Sequence, residues 1–169
     1  MKLKEQEVEK EGMNKELYDL FIKIIQFECN KMSFLKGAKF YCWAHGLQKH
    51  SKFFKIMMEC CSKCKNDFIY YLLAHFEEVP ELKIDTIKTE YESVESVFVD
   101  FAEKEDEYVT LLETVTKKAK ELNDINAFAF LLPMLNKIDH IACRALEAIK
   151  NDQNPMDLLP ECCESYVSR

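Results

Sequence analysis

The chain has 169 residues, 30 acidic against 23 basic, and a formal net charge of −7. That length suits one domain with a sizeable core, and its interspersed charges form no basic stripe of the kind that binds nucleic acid. With only 3 glycines and 4 prolines there is little turn chemistry for a sheet-rich fold, and no apolar run approaches the roughly 18 to 20 residues of a membrane span.

Residues 1–12 read as a polar Glu/Lys-rich arm, disordered or a frayed helical extension, without the apolar stretch of a signal peptide. The chain is therefore expected in the cytoplasm. Its eight cysteines are expected to be reduced thiols rather than a disulfide framework, with Cys29, Cys42 and Cys143 as small core residues. A helical body is expected over 13–151 and a short helix or tail over 152–169. Within the body, the first helix should run from about 14 to 44 and stop before Gly46, and the second from about 49 to 76. An extended connection containing Pro80 follows, with Asp85 or Thr86 as a candidate N-cap for a third helix over about 87–122. A fourth helix, about 125–150, should kink at Pro133. Met156 to Tyr166 could form a short fifth helix, interrupted at Pro160.

Three of these helices carry a polar group in mid-stripe. The first stripe is Phe21, Ile25, Glu28, Met32, Leu35. The second is Phe54, Met57, Cys61, Cys64, Phe68, Tyr71. The third is Phe98, Phe101, Glu105, Tyr108, Leu112, Val115. Steps of three and four place each set on one helix face. A core-facing carboxylate is costly unless it is paired, protonated or bound to metal. Short connections between the first and second helices and between the third and fourth predict two antiparallel hairpins. A long crossover would join them into an all-α, antiparallel four-helix bundle with a short C-terminal fifth helix.

With these features the chain resembles the ferritin family, in particular the bacterial-type ferritins. Residues 43–55 (WAHGLQKHSKFFK) look like the family's first turn and second-helix start, and 68–72 (FIYYL) like the second helix's end. Residues 90–98 (EYESVESVF) and 128–131 (FAFL) look like the starts of the third and fourth helices. The resemblance runs almost without gaps from about 14 to 150. It implies a hollow homo-oligomeric cage, of 24 subunits, that takes up Fe(II), oxidises it with O₂ or peroxide and stores ferric mineral. The charge pattern and the lack of a long apolar run give the expectation of no nucleic-acid or membrane partner.

The family's Glu-x-x-His falls on Cys61-Ser-Lys-Cys64, and other polar positions fall on Leu35, Lys137 and Ile138. The resemblance therefore implies an atypical ferroxidase site, with Glu28 and Glu105 as its catalytic carboxylates. Glu28, Cys61, Cys64 and Glu105 could ligate iron, or zinc at the Cys61/Cys64 position, since thiolates favour soft metals. The alternative is that the two cysteines pack as core and the two glutamates are paired with a lysine, protonated or partly hydrated. A shell without ferroxidase activity and a cytosolic thiol- or zinc-binding module are the corresponding functional alternatives. A second metal set on the inner surface would comprise His140, Glu59 and Cys60, beside Asp139. The family's three-fold pore positions fall on Phe128 and Leu131, and the resulting apolar ring would send iron elsewhere. His45, His50 and His75 are expected at the surface or at an interface rather than as ligands.

Overall fold

Two long helices, α1 (Lys2–Ala44) and α2 (Gln48–Phe76), take up the first half of the computed structural model, which describes residues 2–76, 81–159 and 163, with side chains from residue 15 onward. Helix α1 starts at Lys2 and takes in residues 2–12, the helical extension among the two readings of that segment. Gly46 turns the chain at φ 74°, a left-handed conformation that favours glycine. The Leu47 amide closes the turn on the Cys42 carbonyl at 2.8 Å. The helices then run antiparallel. Near the turn the Ser51 hydroxyl donates to the Lys39 carbonyl, and at the far end Tyr18 meets Phe76.

Helix α3 (Val94–Glu121) also runs antiparallel to α1, with Phe101 against Phe34 and Lys118 paired with Glu16. It is therefore parallel to α2, and the chain must return along the bundle before α3 can begin. Residues 81–93 make that return without helix or strand. The side-chain amide of Gln26 both accepts from and donates to the Lys83 backbone. Further along α1, Gly37 lets the Lys88 carbonyl approach so closely that any Cβ would collide with it. Five extended residues and eleven helical ones each span about 17 Å, so the crossover keeps pace with α1.

That geometry corrects the expected start of the third helix. The N-cap is Ser93, in a capping box with Ser96, and not Asp85 or Thr86. Helix gains only about 1.5 Å per residue against about 3.3 Å for extended chain, so a helix starting at 87 would leave the return too short.

The fourth helix is two helices, α4 (Ile125–Asn136) and α5 (Ile141–Lys150), both packed on α3. Pro133 remains inside α4, and the break comes four residues later than the expected kink. The last turn of α4 tightens, with the Lys137 and Ile138 amides reaching back three residues. His140 then adopts a left-handed conformation, and the Asp139 carboxylate accepts from the Ile141 amide at 3.2 Å, starting α5 afresh. A short 3₁₀ turn at Pro155–Leu158 packs on α2 and α5. The remainder of the expected fifth helix, apart from Leu159 and Cys163, lies outside the described residues. Among the described residues no helix is long and apolar enough to cross a membrane.

The core divides in two. One cluster is built on Phe53, Phe54, Phe98 and Phe101, the other on Phe21, Phe68, Tyr71 and Leu131. Leu131 is fully buried there and Phe128 partly so, which corrects the expectation that Leu131 faces a pore. Between the clusters lies a polar layer.

Candidate metal centre

The polar layer is positioned by three helices. Glu28 and Lys31 come from α1, Cys61 and Cys64 from α2, and Glu105 and Tyr108 from α3. Each pair is three residues apart, hence on one face. These six residues line a cavity of about 450 Å³, walled by Met57, Phe130, Pro133 and Met134 and extending to Lys63, Asp67, Lys137 and Asp139.

Lys31 holds the layer together. Its ammonium forms an ion pair with Glu105 Oε1, which makes no hydrogen bond of good geometry and is satisfied by that charge. It also lies 4.8 Å from the Tyr108 ring centroid. Burial disfavours the charged lysine, but Glu28 and Glu105 outweigh that penalty and raise its pKa above the ordinary value. The ammonium therefore persists with only 7% of the residue exposed.

Glu28, 1% exposed, accepts the Cys61 thiol at 2.6 Å through Oε2. Cys64 Sγ is 3.3 Å from the Tyr108 hydroxyl. Burial, then the Glu28 charge, push the Cys61 thiol well above its usual range, with Lys31 opposing. The same two causes push Cys64 up to about 12. Burial and Glu28 likewise raise Tyr108. At neutral pH both sulfurs are thus S–H groups, whereas the nucleophile and the metal ligand are the thiolate. A thiol redox module would need the opposite shift.

Glu28, Cys61, Cys64 and Glu105 are therefore brought into one cavity, as the stripes require, but around an ammonium. Among the described residues no three His, Cys, Asp or Glu side chains are arranged to hold a metal ion. The second set is not gathered in the same way. Glu59 pairs with Lys55 at 3.9 Å on the exposed face of α2, and His140 sits at the break before α5. Cys60 is disulfide-bonded to Cys163. That bond corrects the reading of eight reduced thiols and removes Cys60 as a free ligand.

Lys31 was the residue missed, and its signal was present. Ile24, Glu28, Lys31, Leu35 and Ala38 follow steps of four and three, and all are buried. The stripe drawn through Met32 ran one residue off this line, and Met32 is only partly buried.

No protein-family model matches the chain, and no curated protein matches it in sequence. Solved structures do match in shape. A "humanized archaeal ferritin" superposes with a TM-score of 0.76 at 13% identity, over 91% of this chain and 95% of that one. A PmFTN variant soaked in iron for 3 h gives 0.69 at 17% identity, over 80% and 91%. A second PmFTN variant, soaked for 5 min, gives 0.66 at 17%, over 85% and 96%. The chain has the ferritin fold. At these identities the likeness concerns architecture, and the ferritin-fold layer of this chain must be judged on its own side chains. They do not fit a di-iron pair, because a buried ammonium already neutralises the carboxylates that would hold one.

Proposed function

We propose that this chain is a subunit of a closed homo-oligomeric shell that takes up iron as cargo and stores it as ferric mineral. The observation that carries the reading is the superposition on a ferritin over 91% of this chain and 95% of that one. Exposed apolar side chains add support. Trp43, Tyr70, Leu73, Ile84 and Ile125 are each more than a third exposed, the kind of surface that subunit contacts bury. The net charge of −7 would concentrate cations at such a shell. A count of 24 subunits and a cytoplasmic setting belong to this reading through the family resemblance.

The geometry favours a shell without ferroxidase chemistry at its bundle centre over one that oxidises iron between Glu28 and Glu105, because Lys31 occupies the charge balance there. Light scattering coupled to size exclusion, followed by aerobic Fe(II) loading and electron microscopy, tests the proposal. A large closed particle that keeps added iron soluble in a dense core is the expected result. A monomer under which the iron precipitates would refute it.

A further inference from the structure

We propose that Lys31 is the resident cation of the bundle centre, and that Glu28, Cys61, Cys64 and Glu105 form a latent soft-metal site that it holds closed. Access is not the obstacle, because a cavity of about 450 Å³ already reaches these residues. The donor types also suit a tetrahedral Zn²⁺-like ion, two sulfurs and two carboxylates from three helices, once the thiols give up their protons to it. With Lys31 among them, no three of these groups are arranged to hold an ion.

The obstacle is charge and its confinement. An incoming divalent ion would have to share Glu105 with an ammonium already paired to it, and Glu28 with a thiol already donating to it. The ammonium is held beside the Tyr108 ring on a side chain that is almost fully buried. Two like charges about 4 Å apart at an effective dielectric of about 20 oppose each other strongly enough to cost a divalent ion more than a 100-fold loss in affinity. Removing the ammonium reverses this balance, leaving two buried carboxylates in need of a cation and two sulfurs beside them.

The test is titration with CoCl₂ under argon without reductant, so that the Cys60–Cys163 bond is kept, following thiolate-to-cobalt absorption, with circular dichroism to confirm folding. Wild type and Lys31→Arg should show no such absorption. Lys31→Ala should bind one Co²⁺ per subunit, about 100-fold or more tighter than wild type. That signal should vanish when Cys61→Ser and Cys64→Ser are added. If Lys31→Ala does not fold, Lys31→Ala with Glu105→Gln removes both members of the ion pair. It keeps Glu28, Cys61 and Cys64 as donors and should bind in its place. Cobalt absorption in wild type that disappears with Cys61→Ser and Cys64→Ser would overturn the proposal, as would a folded lysine-free variant that stays silent. None of these readings depends on shell assembly, so failure here and failure of the iron-storage proposal are separable.

Discussion

Replacing Lys31 with methionine keeps an unbranched apolar stem and deletes the ammonium group. Glu28 and Glu105 are then left without their cation, the first 1% exposed and the second without a hydrogen bond to Oε1. Removing one partner of a buried ion pair costs about 3–5 kcal/mol. A Coulomb estimate of about 4 kcal/mol for one pair at 4 Å and an effective dielectric of 20 agrees. Solvent screening barely reduces the figure, since the two side chains of the pair are 8% and 14% exposed. For a domain of this size the loss corresponds to a Tm lower by about 6–20 °C. Lys31→Met with Glu105→Leu should recover most of it, because no orphaned charge remains at that pair. Urea unfolding followed by circular dichroism, at one fixed subunit concentration because assembly shifts apparent stability, measures both variants. A Lys31→Met protein within about 0.5 kcal/mol of wild type would refute the reading of a buried, charged lysine.

Two further outcomes follow from the same geometry. Cys61, Cys64 and Lys31 all have folded pKa values above their unfolded ones, so their contributions are fully present below the unfolded values and are lost as pH rises. Unfolding free energy should therefore fall above about pH 9, by up to about 1.4 kcal/mol per pH unit for each thiol. The drop between pH 8 and 10.5 should be smaller in a Cys61→Ser, Cys64→Ser protein, which separates these thiols from Cys42, Tyr71 and Tyr91, also raised by burial; an equal drop would sink the assignment. Gly37→Ala, ordinarily favourable in a helix by about 1 kcal/mol, should instead destabilise by about 1–3 kcal/mol in urea, because its Cβ meets the Lys88 backbone carbonyl. A more stable Gly37→Ala protein would mean that the crossover does not lie on α1.

Period-three-and-four stripes made the helices, the antiparallel hairpin and the convergence of Glu28, Cys61, Cys64 and Glu105 legible from the chain alone, because burial of an apolar face dictates that spacing locally. The two short connections and one long one were likewise enough for the bundle topology. The start of α3 at Ser93 was not legible, since it depends on the distance the crossover must cover along α1. Nor was the interruption at residues 137–140, where Asp139 recaps the chain beyond Pro133. The joining of Cys60 to Cys163, 103 residues apart, carries no local signal at all. Above all, the stripes could bring two carboxylates together but could not say what neutralises them. Lys31 and a metal ion satisfy the same electrostatic demand. The choice between them rests on where one flexible side chain is held once three helices have closed around it.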